Sequence, residues 1–572
     1  MQLRKHNLDR QRQEDFDVLV IGGGINGAAS AAALAGKGVK VALIDRGDFA
    51  SSTSMHSSNL VWGGIKYMES HDFPLVRKLC KSRNHLIKHF PSTVKEIRFL
   101  TTIASGFRYH PRYLWAGSWL YWFIGNGFTK IPHYLLPAGI KAREPIVDIA
   151  GSVGGFEYSD AYLHDNDARF VFNFVRSAMD RGCAATNYVE SLGAKREGQR
   201  WVTQARDVMT GDTFEIRAKV VVNAAGPYVD QHNSLSGERT EHQHVYSKGI
   251  HLIVPQLSEH QRVLAFFADD GRLFFVIPMG RRTCIGTTDT RVDSPEVQVT
   301  EDDIRFVLDN INKRLALDAP LTQDDIISTR CGVRPLAVKA SSGGDRDFLQ
   351  LSRKHVIDTD AATHHLSIFG GKLTDCLNVG DEIVAAVKEL GVDVPYADYV
   401  WYGEPGRAVR EEFFHQARLM GLDAMAPHHH EALSTRLWRR YGAQALDMLE
   451  EIREDPRQAE VLIEGTEYLR CEIRQAQRRE MITRLEDFLR RRSKISLVVS
   501  AEDIRQAPGL REACEILFGD EAEAKLEEYL ASAHAQSVGE VLSADANADA
   551  NSDTSSDTTS DNRARSESLK WR

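Results

Sequence analysis

Residues 17–29 read DVLVIGGGINGAA, and the order of residue types in this stretch decides how the first half of the chain folds. The apolar run at 16–21 predicts a strand, and the Ala-rich run at 28–34 predicts a helix. Between them Gly22, Gly24 and Gly27 carry the G-x-G-x-x-G spacing, and a second apolar run at 39–44 ends on Asp45. Glycines alone mark ordinary turns. A glycine triplet between a strand and a helix, with an acid closing the next strand, is the dinucleotide fingerprint. Gly22 permits the tight turn, Gly24 lets a pyrophosphate approach the backbone, and Gly27 lets the helix pack on the sheet. The free N–H groups and positive dipole end of the helix then face the phosphates, and Asp45 accepts from ribose hydroxyls.

FAD and NAD both use this fingerprint, so the rest of the chain must choose between them. Residues 46–54, RGDFASSTS, form a hydroxyl-rich loop suited to an extended ligand with pyrophosphate and ribityl groups. A strand-like run at 218–223 ends in the small residues of NAAGP, 223–227, where a chain can pass close to a cofactor. FGGKLT, 369–374, is a Gly turn leading into a helix whose N-terminus can stabilise negative charge on a reduced flavin. Elements this far apart that suit one ligand favour FAD.

The chain has 572 residues, too many for one ordinary core, and a formal charge of -9 that argues against nucleic acid as a partner. Its polar start, MQLRKHNLDRQRQEDFD, has no apolar core of a secretory signal, and no apolar run is long enough to span a bilayer. Seven scattered cysteines without a C-x-x-C pair fit a reducing compartment.

Strand-like runs at 251–254 and 273–278, with helical stretches such as 168–180, extend the α/β pattern to about residue 400. Four regions follow: a polar N-terminal arm (1–15), an oxidoreductase region (16–400), a charged helical domain (405–533) and a disordered tail (535–572). The helical domain shows one-face apolar spacing over 435–454 and 464–492. His428, His429 and His430 are adjacent within it but lack further ligands for a metal, so no metal site is expected. The tail is rich in Ser, Asp, Asn and Thr and has too few apolar residues to offset ordering.

Eight motifs in one order make the chain resemble the FAD-dependent, quinone-linked glycerol-3-phosphate dehydrogenase family. They are DVLVIGGGINGAA (17–29), SSNLVWGGIKYME (57–69), GFEYSD (155–160), NAAGPYVD (223–230), KGIHLIVP (248–255), IGTTDT (285–290), GVRPL (332–336) and FGGKLT (369–374). The segment around 468–492 is also similar to the family's C-terminal domain. The resemblance implies an FAD-binding Rossmann-like domain interleaved with a β-rich substrate-capping domain, followed by a helical domain. It further implies oxidation of sn-glycerol 3-phosphate to dihydroxyacetone phosphate, with electrons passed to a membrane quinone. The enzyme would sit in the cytoplasm, held peripherally on the inner face of the membrane, with a homodimer as a further expectation.

On this reading the cofactor contacts are Gly22, Gly24, Asn26, Gly27, Asp45, Ser52, Thr53, Ser57, Ser58, Gly63, Gly64, Val189, Ala225, Gly226, Gly371, Leu373 and Thr374. A phosphate-bearing substrate needs cations, and Arg334, Lys372 and Lys66 are the candidates, because an Arg fork binds two oxygens. Thr287 and Thr288 can hydrogen-bond substrate oxygens. His251, able to take a proton near neutral pH, is the candidate general base, so His251, Arg334 and Lys372 form the catalytic set.

The stretch SSNLVWGGIKYME departs from the family's usual Ser-Lys-Leu-Ile-His-Gly-Gly-Leu-Arg-Tyr: Asn59 replaces the Lys, Trp62 the His and Lys66 the Arg. Three alternatives stay open: an oxidase of the same fold using O2, a flavoprotein acting on another small hydroxy or amino acid, and a non-catalytic flavin-binding or scaffold protein. RYHPRYLWAGSWLYWFI, 108–124, holds Trp115, Trp119 and Trp122 beside basic residues and is the expected membrane-surface contact.

Overall fold

The computed structural model describes residues 2–268, 271–340, 354–425 and 431–532. The three adjacent histidines and the tail from 535 onward lie outside the described residues. Strand Asp15–Ile21 occupies the middle of a sheet, parallel to Val41–Ile44 on one side and Thr213–Asn223 on the other. The order runs Val356–Asp360, His365–Phe369, Thr213–Asn223, Asp15–Ile21, Val41–Ile44, Ala184–Thr186, with only the first pair antiparallel. Parallel strands are covered on both faces, which accounts for continuous apolar runs in place of alternation. Val18, Leu19 and Val20 are accordingly all fully buried.

One face carries helix Ile25–Gly36, flanked by Asp167–Met179 and Cys376–Glu389. The other is covered by the hairpin Val189–Glu197 and Arg200–Asp207, which continues antiparallel into Thr213–Asn223. The N-terminal arm proves to be a helix, Gln2–Gln13, docked on the sheet. Asn7 Nδ2 donates to Ala185 O at 2.8 Å and Gln11 Nε2 to Ala184 O at 2.7 Å. Its buried amides thus satisfy carbonyls of the edge strand, a docking that apolar periodicity does not report.

A second, mixed sheet is built from segments interleaved with the first. Its order is Thr290–Val292, His242–Pro255, Arg282–Gly286, Leu273–Met279, Arg262–Phe267, Val94–Ala104, Ser152–Leu163, Leu60–Val61. Strand Ser328–Lys339 also pairs with His242–Pro255 along its whole length.

The C-terminal region is helical, as expected, but both long helices are broken. The first divides into Leu433–Tyr441 and Ala445–Glu454 around Gly442, whose φ of +56° only glycine adopts readily. The second divides into Arg470–Arg479 and a π-helical turn, Asp487–Arg492, because Asp487 turns back to accept from Thr483 N and Arg484 N at 2.8 Å each. Buried ion pairs join this domain to the first sheet's region. Asp165 accepts from Arg440 Nε at 2.9 Å and pairs with Arg439. Burial opposes the charge on Asp165, yet Arg439 and Arg440 hold its carboxyl well below the ordinary value.

Candidate active site

The fingerprint residues meet at the carboxyl ends of the parallel strands, beside a cavity of about 460 Å³. Gly22, Gly24, Asp45, Ser52, Thr53, Val189, Ala225 and Gly226 all line it. Gly22 is tight against the end of the neighbouring strand: a Cβ there would fall 2.5 Å from Ala224 O. Gly27 packs the helix onto Gly22 itself, so it serves the cavity from behind. Helix Ile25–Gly36 starts at the cavity wall with an extended Gly24 and no side-chain cap from that residue. Asp45 accepts from Gly23 N at 2.6 Å and Gly47 N at 2.9 Å, and its burial pushes the carboxyl up to about 6. A helix N-terminus for phosphate, an acid for ribose and a long slot between them fit a dinucleotide. Sequence reasoning missed the far wall, where the Arg46 guanidinium stacks 3.6 Å from the Tyr228 ring centre.

The remaining expected cofactor contacts do not line this cavity, and the structure gives them other contacts. Asn26 Nδ2 donates to Gly370 O at 3.0 Å and so ties the fingerprint helix to the FGGKLT turn, with Gly371 (φ +112°) directly against it. Leu373 packs into the core of the first sheet, and Thr374 Oγ1 reaches Trp62 O at 3.5 Å. Ser57 N donates to Asp167 at 2.9 Å, and Ser58 is half-buried beside it. Gly63 N donates to both oxygens of buried Asp160, at 3.1 and 3.2 Å, and Asp160 is paired with Arg83 and Tyr121. A side chain at Gly63 would collide with the Tyr121 hydroxyl. Gly64 (φ +81°) turns the chain into a one-turn helix, Ile65–Met68.

The three departures in this segment divide by role. Asn59 is buried and accepts from Arg330 Nη1 at 2.9 Å. Trp62 packs against Phe275, with its Nε1 3.3 Å from Tyr158 Oη. Lys66 is exposed, whereas its neighbour Tyr67 lies under Lys372, whose Nζ is 4.1 Å from the ring centre.

His251 and Arg334 come together on the second sheet. Strand His242–Pro255 places His251 opposite Arg330 and Gly286, and Ser247 opposite Arg334. His251 is 2% exposed, and neither ring nitrogen has a hydrogen-bond partner among the described residues. Burial, then the charges of Arg330 and Arg334, push its pKa well below the ordinary value, so the imidazole is neutral. Arg334 donates to Thr288 O at 3.0 Å and to Thr287 Oγ1, and lies 3.6 Å from Asp289. Thr288 Oγ1 itself accepts from Ile250 N at 3.1 Å, so the two threonines hold Arg334 in place.

Arg330, also missed in the sequence, is fully buried, donates to Ser57 O and lies 3.6 Å from Asp167. Its signal was the strand period: Arg330 and Arg334, four apart, share one face. Behind Lys372, His355 sits 2.7 Å from both Asp375 and Glu382.

On helix Pro111–Ile124 the tryptophans are half-buried, with Trp122 Nε1 bonded to Thr129 O at 2.6 Å. The exposed large hydrophobic side chains on and just after this helix are Tyr113 (67%), Leu120, Phe123 (63%), Phe128, Ile131 and Leu136 (63%).

The model for FAD dependent oxidoreductases matches residues 17–364, and that for the C-terminal domain of alpha-glycerophosphate oxidase matches residues 407–525. A glycerol-3-phosphate dehydrogenase of Mycobacterium leprae (strain TN) is 32% identical over 546 residues, 94% of this chain and 90% of that protein. The mitochondrial glycerol-3-phosphate dehydrogenase of Bos taurus is 30% identical over 400 residues, 67% of this chain and 54% of that protein. The crystal structure of the glycerol-3-phosphate dehydrogenase from Bacillus halodurans, complexed with FAD, superposes with a TM-score of 0.70. It covers 93% of this chain and 97% of that one, at 24% identity.

Proposed function

We propose the following activity for a chain that belongs to the glycerol-3-phosphate dehydrogenase family of FAD-dependent oxidoreductases: it oxidises sn-glycerol 3-phosphate to dihydroxyacetone phosphate. FAD is the cofactor, and the slot beside Gly22, Gly24 and Asp45 fits its dinucleotide part. When bound it supplies the acceptor for the hydride that leaves the alcohol carbon.

The observation that carries the reading is His251, buried without a hydrogen-bond partner among the described residues and neutral beside Arg334. A neutral imidazole shielded from water takes the hydroxyl proton as the C–H bond breaks. Arg334, fixed by the Thr287–Thr288 turn, offers its fork to the phosphate, and Lys372, steadied over Tyr67, adds a second cation. Lys66, exposed on the one-turn helix, guides the anion toward them. Gly63 and Gly64 keep their segment close enough to border the flavin, with Ser57 and Ser58 at its start.

A membrane quinone is the electron acceptor we assign, with the exposed apolar cluster around Phe123 meeting the lipid surface and the basic Arg112 and Lys130 beside it. No helix among the described residues is long and apolar enough to cross a membrane. The match of residues 407–525 to an oxidase's C-terminal domain favours a second reading, in which O2 takes the electrons. Anaerobic addition of glycerol 3-phosphate should bleach the flavin absorbance, and no bleaching would overturn the proposal. Comparing quinone reduction with hydrogen peroxide yield then separates the two acceptors.

A further inference from the structure

We propose that the C-terminal helical domain is a working part of the FAD site. Its Arg490, Arg491 and Arg492 hold the cofactor loop in its binding shape, with Asp48 as the positioning residue on that loop. The inference rests on FAD occupying the slot beside Asp45.

The π-helical turn Asp487–Arg492 delivers three consecutive arginines, all buried, to the underside of the loop that follows the fingerprint acid. Asp48, buried at 1% exposure, accepts from Arg491 Nε at 2.8 Å and from Arg492 Nη1 and Nη2 at 2.7 and 2.8 Å. The Arg492 contact is a two-pronged fork on both carboxylate oxygens, the geometry that fixes direction as well as distance. Asn187 Nδ2 adds a fourth donor at 2.9 Å. At the other end of the loop, Arg490 Nη2 donates to Met55 O at 2.7 Å.

Between these two anchors lie Ser51, Ser52, Thr53 and Ser54, which line the cavity. Ser54 Oγ also accepts from Ile25 N at 2.9 Å, at the mouth of the fingerprint helix. The segment that would wrap the cofactor is therefore pinned at both ends by side chains more than 430 positions away in the chain.

Arg491 and Arg492 are themselves held by further contacts. Arg491 Nη2 is 2.6 Å from Asp487, and the Arg492 guanidinium stacks 3.9 Å from the Phe172 ring centre. The pinned loop, by contrast, carries Ser51, Ser52, Thr53 and Ser54 between the buried Phe49 and the partly buried Met55, with Thr53 Oγ1 donating to Val333 O at 2.8 Å. The hydroxyl stretch 51–54 adds little apolar packing of its own, so its order depends on the anchors that flank it. If it is ordered only part of the time, cofactor affinity falls by that fraction.

The test uses the full chain loaded with FAD, following flavin fluorescence on dilution as FAD is released, alongside the thermal midpoint. Asp48→Asn and Arg492→Lys should each release FAD about tenfold faster than the unaltered protein. Asp165→Asn, which weakens another buried ion cluster between the same regions without touching the loop, should lower the midpoint but leave FAD release unchanged. The proposal is overturned if Asp48→Asn and Arg492→Lys release FAD at the unaltered rate. It also falls if Asp165→Asn releases it equally fast for the same loss of midpoint. Should Asp48→Asn not fold, Arg492→Lys keeps the charge, loses one arm of the fork and carries the same test. Unaltered protein purified without flavin, and unable to take it up, would remove the cofactor assignment itself, which is a separate result.

Discussion

The guanidinium of Arg334 lies over the bare backbone of Gly249, two residues before His251 on the same strand face: a Cβ at Gly249 would fall inside it. The bare glycine is what lets the Arg334 guanidinium lie down beside His251, the pair proposed as phosphate ligand and base. Gly249→Ala should therefore act like a substitution at the substrate site, raising KM for glycerol 3-phosphate by about tenfold or more while FAD stays bound. Arg334→Lys, a point charge in place of a fork, should lower kcat/KM by a similar or larger factor. Steady-state kinetics on holoenzyme checks both, and an unchanged KM in each would remove Arg334 from the site.

His251 should set the acid limb of the reaction. Because burial and Arg330 and Arg334 lower its pKa, the base stays unprotonated through the ordinary histidine range near pH 6.5. Anaerobic flavin reduction should then be flat with pH around 6.5 and fall only at more acid pH. His251→Asn should slow that step by about 10²–10⁴-fold on the plateau and remove the acid limb. A limb centred at an ordinary histidine value would contradict this assignment.

Asp45 predicts a pH dependence of cofactor binding. Its carboxyl titrates at about 6 without ligand, and only the carboxylate can accept from two ribose hydroxyls. FAD affinity of the apoprotein should weaken as pH falls through about 6, and Asp45→Asn should flatten that profile. Titration of apoprotein by flavin fluorescence quenching reads it directly.

His355 makes the opposite contribution to stability. Burial alone would lower its pKa, but the hydrogen bonds its ring N–H groups donate to Asp375 and Glu382 raise it above the ordinary value. A raised folded-state value stabilises fully below the unfolded pKa, and that stability is lost as pH rises through the folded one. The thermal midpoint should therefore drop between about pH 6.5 and the alkaline side more steeply than in His355→Gln. Equal slopes in the two proteins would mean the clamp is not charged.

For the proposed lipid contact through the Trp115–Trp122 region, exposure picks out which side chains to test. The tryptophans of helix Pro111–Ile124 are half-buried, and Leu120, Phe123 and Leu136 present the apolar surface. Leu120→Ser with Phe123→Ser should abolish sedimentation with anionic vesicles and leave flavin reduction by substrate intact. Vesicle binding that survives both changes would sink this surface as the contact.

Much of the site was readable in order along the chain. Gly22, Gly24 and Asp45 announced themselves because a strand–turn–helix has a fixed local spacing, and the structure sets all three around one slot. Other residues were legible only as motif members. Gly63 and Asn26, expected at the flavin, have their observed contacts in Asp160 and Gly370, partners 97 and 344 positions away. Arg330 gave no sign beyond its strand period, since its value lies in reaching Asn59 from 271 positions off.

By itself the sequence determined the parallel core, the dinucleotide turn and the helical C-terminal region, because each is a matter of local periodicity and turn chemistry, while the interleaving of two sheets was legible only through the family resemblance. Only the tertiary structure decided that the polar N-terminal segment caps a sheet edge and that His251 is buried and neutral beside Arg330. It also decided that Asp48 answers to Arg491 and Arg492 across more than 440 residues. Buried charge and unpaired hydrogen-bonding groups are settled by what packs around them, and no pattern along the chain records that neighbourhood.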